Sequence, residues 1–318
     1  MTTEEGRLLE ISQIPADLWD ATQNAIRLPD VLSAAYKSLI NQHGLIDLSS
    51  RQRGSEAPVG GLSKSETDRH FAQAFDGSAA RAQLALLDPK REVTPTSEVF
   101  LLSLTGNSLT LTDVPCGAGA AAYALLTTIA QLRKASILPR EPLDVKLIGG
   151  ELSSYARTYA SEMLELIRDE LLDQAITVQE FFLEWDATDQ ISTADLIKET
   201  THHRSDRNLL IVANFNGFLI EQRKYKHAKP QLDNLFLFSS GPNSSALWIE
   251  PAKNTAIKKG GILPNIAENI NNTWKKFAKF FPGYKGEAPT TIARFIDPIF
   301  EEKTHRLTLA VLPLSLER

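Results

Sequence analysis

The feature that most limits the possible folds is an alternation of apolar segments, turns and amphipathic segments that begins near Glu98. Strands alternating with helices of this length predict an α/β protein with a doubly wound, mostly parallel sheet. Right-handed crossovers would place the ligand crevice at the carboxyl ends of the first strands. Seven strands are predicted, over residues 109–114, 143–148, 176–183, 209–214, 246–250, 293–298 and 306–314, the last two as an antiparallel pair. Helices are predicted over residues 117–134 and 155–172.

The segment before this alternation, residues 1–97, is expected to be a helical N-terminal region, and residues 98–318 to be the α/β domain. Residues 47–65 are rich in Ser, Gly and Arg, which predicts a mobile loop. Phe71 and Phe75 belong to a run of apolar residues at helical spacing, one of several in this region. Three helices are predicted here, over residues 18–26, 30–40 and 66–87.

Composition excludes several classes of protein. Hydrophobic residues make up 42% and charged residues 23% of the 318 positions, as in globular proteins with a substantial core. No apolar run approaches the roughly 18 residues of a membrane span, and the N-terminus is acidic and polar, unlike a secretory signal. Cys116 is the single cysteine, which excludes an internal disulfide. We therefore expect a cytoplasmic protein without membrane contact, and no metal site, because the adjacent His202 and His203 lack supporting ligands.

The formal net charge of -5 is unevenly distributed. Residues 222–285 hold eleven Lys or Arg against three acids, a local balance of +8, so the rest of the chain carries -13. A basic region on an acidic body can attract an anionic partner such as a nucleic acid. Lys275, Lys276 and Lys279 are interleaved with aromatic residues, which would combine phosphate neutralisation with base stacking. The same region could equally be a solvated surface, with its aromatic residues in the core.

The most informative local sequence is Thr-Asp-Val-Pro-Cys-Gly-Ala-Gly-Ala at residues 112–120. An apolar strand leads into a turn in which two glycines leave no Cβ to block a ligand from the backbone. The helix that follows would present its free N–H groups to that ligand. This pattern indicates a nucleotide-type binding loop.

The loop resembles the first motif of class I S-adenosylmethionine (SAM)-dependent methyltransferases, which commonly reads Asp-x-Gly-x-Gly-x-Gly. Asp113, Cys116, Gly117 and Gly119 are in register with that motif, whereas Pro115 replaces its first glycine. The resemblance extends over residues 98–318 and implies a seven-stranded Rossmann-like sheet with SAM bound at its carboxyl edge. It implies that this loop holds SAM through Asp113, Pro115, Cys116, Gly117, Ala118 and Gly119.

Two further acids follow the next predicted strands in the order that the family uses. Glu151, with Leu152 and Ser153, matches the acid that holds the ribose hydroxyls, and a carboxylate suits two hydroxyl donors because it only accepts hydrogen bonds. Asp186 and Ala187 resemble the acidic position beside the adenine amino group. The resemblance therefore implies a complete SAM site.

The fourth predicted strand ends in Asn214, Phe215 and Asn216, where the family places its fourth motif beside the transferred methyl group. The Asn-Pro-Pro-Tyr and Asp-Pro-Pro-Tyr tetrapeptides of amino-methylating nucleic-acid enzymes are absent. The two amides could orient an acceptor while Phe215 stacks on it, so these three residues are the catalytic candidates, and Asn214 is also a candidate contact to SAM. They could instead cap the turn and fill the core. Cys116 lies inside the SAM loop, which leaves no separate thiol for a cysteine nucleophile.

Several alternatives remain open. Residues 117–122 also fit the Gly-x-Gly-x-x-Gly/Ala pattern of dinucleotide-binding Rossmann domains, in which Glu151 would serve equally well. Asp113 and Asp186 favour SAM over NAD. The expected activity is methyl transfer from SAM, with a nucleic acid marginally preferred as the acceptor. A small-molecule or protein acceptor, or a SAM-fold module that only binds, is the alternative.

Overall fold

The sheet and its helices are described by a computed structural model of residues 8–51, 61–252 and 289–315. In these residues the strands are Trp19–Asp20 (β1), Ala25–Ile26 (β2), Ser108–Val114 (β3), Leu143–Gly150 (β4), Ile176–Leu183 (β5), Arg207–Ala213 (β6), Ser244–Glu250 (β7), Thr290–Ile296 (β8) and Thr304–Ser315 (β9). The helices are Asp30–Gln42 (α1), Ile46–Ser50 (α2), Lys64–Leu87 (α3), Thr94–Leu104 (α4), Ala120–Lys134 (α5), Ser154–Asp173 (α6), Gln190–His202 (α7), Asn216–Glu221 (α8) and Tyr225–Phe238 (α9). A short 3-10 turn, Ile11–Gln13, precedes them.

The described strands form one mixed sheet in the order β1-β2-β8-β9-β7-β6-β3-β4-β5. Strands β5, β4, β3, β6 and β7 are parallel neighbours, whereas β9 runs antiparallel to both β7 and β8. The seven predicted strands and the antiparallel pair are confirmed. The predicted strand number is wrong, because β1 and β2 extend the edge beyond β8 to give nine.

The direction of strand addition reverses at β3. The chain moves outward from β3 through β4 to β5, then crosses back to place β6 on the other side of β3. Ligands of doubly wound sheets bind at such a switch point, outside the carboxyl ends of the strands. The fold therefore places the crevice at the ends of β3 and β6, where the sequence predicted it.

The predicted helix over residues 18–26 is wrong, since β1, a turn and β2 occupy this segment. The Asp20 carboxylate accepts hydrogen bonds from the Thr22 and Gln23 backbone N–H groups and from the Thr22 hydroxyl, which closes the turn. Asn24 has a φ of 51°, a left-handed conformation that interrupts a helix. The local hydrogen bonds of an aspartate thus override the apolar spacing.

The predicted loop over residues 47–65 is wrong at both ends. Helix α2 extends through Ser50, and α3 begins at Lys64. A reciprocal capping box, in which Ser63 and Glu66 each accept from the other's backbone N–H, starts α3. Residues 52–60, at the centre of the predicted loop, lie outside the described residues.

Helix α3 joins the N-terminal region to the sheet domain. Its Phe71 and Phe75 rings pack on the buried Tyr36 ring of α1, with centroids 5.3 and 5.0 Å away. Helix α3 also packs against α5, and one hydrophobic core includes residues from before and after position 97. Of the described helices, none is long and apolar enough to cross a membrane.

Candidate active site

A cavity of about 460 Å³ lies at the carboxyl ends of β3, β4 and β6. Its floor is the set of strand ends and the loops that follow them, and α3 forms the opposite wall. The predicted site residues that line it are Asp113, Pro115, Cys116, Gly117, Ala118, Glu151, Leu152, Asp186, Ala187, Asn214 and Phe215. Gly119 and Ser153 lie outside the lining, and the side chain of Asn216 lies outside the described residues.

The loop after β3 needs its two glycines for different reasons. Gly117 has a φ of 54° and a Cβ added to it would meet no atom within 4 Å, so its backbone faces open space in the cavity. Gly119 has a φ of 80°, and an added Cβ would overlap the Tyr123 ring of α5. Gly117 therefore leaves room for a ligand, whereas Gly119 allows the turn to enter α5.

Asp113 is the penultimate residue of β3, and its buried carboxyl group lines the cavity. Neither of its oxygens has a hydrogen-bond partner of normal geometry in the described part of the chain. Burial and the nearby Glu151 carboxylate raise the pKa of Asp113 to about 7, although the Ala122 backbone N–H opposes this rise. An orphaned acid of this kind is unusual, because buried polar groups nearly always have partners.

Glu151 connects the glycine loop to the end of β4. One carboxylate oxygen accepts from the Gly117 N–H at 3.1 Å, and the other accepts from the Ser153 N–H at 2.8 Å. Burial raises the pKa of Glu151 even though these bonds and Arg157 oppose the rise. Each oxygen keeps a second lone pair, so the carboxylate can still accept from two hydroxyls.

Ser153 has a structural role at the start of α6. Its hydroxyl accepts from the Ala156 N–H at the start of α6 and lies 2.9 Å from the Thr67 hydroxyl of α3. Ser153 thus caps α6 and holds α3 in place over the cavity, rather than lining it.

Asp186 lies at the β5 side of the cavity. Burial opposes its ionisation, but hydrogen bonds of 2.8 Å from the Thr188 backbone N–H and hydroxyl, together with Lys224, outweigh burial and lower its pKa. Both of these hydrogen bonds end on the same oxygen, Oδ1. An ionised carboxylate of this kind can accept a hydrogen bond from an amino group.

The three catalytic candidates follow β6. Asn214 has a φ of 56°, and its side-chain oxygen accepts from the Arg81 guanidinium of α3 at 3.1 Å. Phe215 is buried, and its ring lies between Phe218 at 5.7 Å and Trp185 at 5.9 Å. Only part of Phe215 faces the cavity, so packing accounts for most of its surface. The side-chain oxygen of Asn214 is already engaged within the protein.

Cys116 and the histidine pair have no reactive arrangement. Burial raises the pKa of the Cys116 thiol well above its usual value, which keeps it protonated. His203 lies 2.9 Å from the Glu199 carboxylate and stacks on Phe181. The described residues contain no cluster of three or more His, Cys, Asp or Glu able to hold a metal ion.

Sequence reasoning missed the wall of the cavity that α3 provides. The periodicity of Phe71 and Phe75 predicted an amphipathic helix but not which surface it would cover. The α3 residues that line the cavity are Glu66, Thr67, His70, Phe71, Phe75 and Ser78.

No protein-family model and no curated protein matches the chain. The chain is similar to solved structures of methyltransferases. One is a Listeria monocytogenes protein described as a class I S-adenosylmethionine-dependent methyltransferase, at 15% identity and a TM-score of 0.36 over 93% of this chain and 88% of that chain. Another is precorrin-6y C5,15-methyltransferase of Geobacter metallireducens, at 11% identity and a TM-score of 0.31 over 70% of this chain and 91% of that chain.

Proposed function

We propose that the chain binds SAM in this cavity and transfers its methyl group to an acceptor. The observation that carries the proposal is the buried Asp113 carboxylate, whose oxygens have no hydrogen-bond partner of normal geometry among the described residues, beside the open backbone of Gly117. SAM carries a methionine ammonium group and a sulfonium, both cationic. A cationic ligand would supply the partner that Asp113 lacks.

The charges around the cavity support a cationic ligand. Among the described residues that line it, the four carboxylates are Glu66, Asp113, Glu151 and Asp186, and the only Lys or Arg is Lys224. In the proposed complex Asp113 holds the methionine ammonium, Glu151 the ribose hydroxyls and Asp186 the adenine amino group. The three acids are spread over the ends of β3, β4 and β5, so the ligand would extend along the edge of the sheet.

The same charges argue against a dinucleotide. In a dinucleotide-binding domain the pyrophosphate lies at the N-terminus of the helix after the glycine loop. Here that position adjoins Asp113 and Glu151, which would repel a doubly negative group. The order of strands also differs, because antiparallel β9 lies between β7 and β8 where the dinucleotide fold continues with a parallel strand.

When bound, SAM would supply an electrophilic methyl group. The protein would contribute position and exclusion of water, which account for much of the catalysis of such a displacement. Helix α3 covers the cavity with the Phe71 and Phe75 rings. The Arg81 bond to Asn214 holds α3 against the end of β6, beside the expected position of the methyl group.

The chemical class of the methyl acceptor is a separate part of the proposal. The local charge of +8 over residues 222–285 supports a nucleic acid, but residues 253–288 lie outside the described residues, including Lys275, Lys276 and Lys279. A small-molecule or protein acceptor is the alternative, and a module that binds SAM without turnover is a second. A cytoplasmic location is proposed on the sequence alone.

Isothermal titration with SAM, its demethylated product S-adenosylhomocysteine (SAH) and NAD tests the proposal. We expect SAM and SAH to bind in the micromolar range and NAD not to bind. At a ligand concentration of about 100 times the dissociation constant, SAM should stabilise the fold by roughly 2.7 kcal/mol. The matched control is Glu184→Gln, because Glu184 is an exposed acid close in sequence to Asp186 but outside the cavity. Binding of NAD without binding of SAM would refute the proposal.

A further inference from the structure

His70 is a titratable group in the cavity that the proposed SAM contacts do not use. It lies on the face of α3 that also carries Thr67, Phe71 and Ser78, at helical spacings that bring these side chains to one side. With the described residues, His70 makes no hydrogen bond, ion pair or ring contact. Its imidazole therefore lines the cavity with neither nitrogen atom paired among the described residues.

The two ends of α3 fix where His70 lies along the cavity. Thr67 contacts Ser153 after β4, and Arg81 contacts Asn214 after β6. Fourteen residues of helix span about 21 Å, and His70 is one turn beyond Thr67. His70 therefore lies over the position proposed for the ribose, about 4.5 Å along the helix from Thr67, and the sulfonium attached to that ribose would lie on its Asn214 side.

Several other polar side chains that line the cavity or adjoin it are already engaged. Glu66 accepts from the Ser63 hydroxyl at 2.6 Å, and the Tyr159 hydroxyl donates to Asp68 at 2.6 Å. Asn214 accepts from Arg81, and an amide does not take up a proton at neutral pH. Asp113, Glu151 and Asp186 are assigned to SAM in the proposed complex.

We propose that His70 accepts the proton of the methyl acceptor, whose reacting oxygen or nitrogen therefore carries a hydrogen. This inference rests on the proposed function. The acceptor's lone pair forms the bond to the methyl carbon, the carbon–sulfur electron pair stays on sulfur, and the acceptor's proton moves to a nitrogen of His70. Acceptors without such a hydrogen, such as a thioether or a tertiary amine, are excluded.

The ionisation state of His70 suits this role. Burial lowers its pKa, so the imidazole is neutral at pH 7 and can accept a proton. The other ionisable side chains that line the cavity are Glu66, Asp113, Cys116, Glu151, Tyr159, Asp186 and Lys224. These groups are the same in complexes with SAM and with SAH, so a comparison of the two complexes isolates the effect of the sulfonium charge.

The first experiment measures the pKa of His70 by NMR in full-length protein labelled at histidine, with the His70 signal assigned from a His70→Gln variant. A sulfonium close to the ring should lower the pKa of His70 by about one unit or more in the SAM complex relative to the SAH complex. His305 is the internal control, because it is paired with Asp297 and lies outside the cavity. Equal His70 pKa values in two saturated complexes would overturn the inference.

The second experiment uses sinefungin, in which an amine-bearing carbon replaces the methylsulfonium group. Its amine can donate to His70, so wild-type protein should bind sinefungin more tightly than SAH. His70→Phe should reduce this preference about tenfold and change the SAH dissociation constant less than about threefold. His70→Gln, whose amide oxygen can accept, should keep part of the preference. An undiminished preference in a folded His70→Phe variant would overturn the inference.

If His70→Phe does not fold, the wild-type NMR measurement alone decides. Failure of SAM, SAH and sinefungin all to bind would refute the proposed function and this inference with it. Binding of all three without any response at His70 would refute the inference alone.

Discussion

Replacement of Asp113 by Asn should make the ligand-free protein more stable above pH 7 while weakening its binding of SAM. The carboxyl group has an ordinary pKa of 3.8 and a pKa of about 7 in the folded chain. The folded state therefore binds the proton more tightly than the unfolded state. Wild-type stability should fall as the pH rises from about 4 to about 7 and should change little from this cause above that range.

The size of the effect follows from the two pKa values. Their difference corresponds to an upper bound of about 4 kcal/mol at pH 8. An unsatisfied buried amide costs roughly 1–3 kcal/mol, but the protonated acid has a similar cost, so we expect a net gain of about 2–4 kcal/mol. This corresponds to an increase in Tm of roughly 4–8 °C. Near pH 4 the variant and the wild type should melt together.

Binding should change in the opposite direction. Loss of a charge-assisted hydrogen bond worth about 1.5–3 kcal/mol weakens SAM roughly 10- to 150-fold. Wild-type affinity should also increase with pH through about 7, as Asp113 ionises. Thermal melts at pH 4 and pH 8, with titrations of SAM at pH 8, make the test. Asp186→Asn is the control with the opposite sign, because the folded state lowers the pKa of Asp186 and its removal should destabilise the protein at pH 8. A less stable Asp113→Asn protein with unchanged affinity would refute the reasoning.

Three further predictions concern the loop and the basic region. Glu151→Gln should weaken SAM binding about tenfold by titration. It should also lower Tm slightly, because the amide can replace only one of the two N–H hydrogen bonds that the carboxylate accepts. Unchanged affinity would mean that Glu151 only stabilises the loop. Gly119→Ala should destabilise the fold by more than about 2 kcal/mol in urea unfolding, because the methyl group overlaps Tyr123. Gly117→Ala should cost less stability but reduce SAM affinity. A larger loss of stability in Gly117→Ala than in Gly119→Ala would contradict the cavity geometry. Replacement of Lys275, Lys276 and Lys279 by Glu should abolish salt-sensitive binding of mixed RNA and DNA oligomers in fluorescence anisotropy and leave the SAM-induced rise in Tm intact. If the wild type does not bind these oligomers at about 50 mM salt, a nucleic-acid acceptor bound through these lysines is excluded.

The sequence predicted those parts of the fold that depend on local periodicity. Strands β3 to β7 and helices α5 and α6 were recognisable because apolar runs of strand length alternate with helical spacing. The glycine loop was recognisable because its backbone requirements limit the residue types. The sequence did not predict β1 and β2, since strands of two residues have no measurable period and an Asp20 turn separates them.

The sequence predicted the side of the site that the strand ends form, but not the side that α3 forms. Residues at the ends of parallel strands must meet at one edge of a sheet, which brings Asp113, Glu151 and Asp186 together without knowledge of the rest. Contacts between distant segments follow no such rule. The Arg81 bond to Asn214 joins residues 133 positions apart, and the Thr67 contact with Ser153 joins residues 86 apart. These long-range contacts place α3, and with it His70, over the cavity.

The three acids that follow or end the strands at the cavity differ in what they reveal about a ligand. Glu151 and Asp186 each accept hydrogen bonds from the protein, so the fold alone gives a reason for both carboxylates. Asp113 has no hydrogen-bond partner of normal geometry among the described residues, and the Ala122 backbone N–H only partly opposes the effect of burial, which raises the pKa of Asp113 and destabilises the ionised, ligand-free protein. A buried carboxylate that opposes folding is accounted for if a bound cation becomes its partner. Asp113 is therefore the residue at which stability and affinity should respond in opposite directions, and this opposition separates a ligand site from a structural turn.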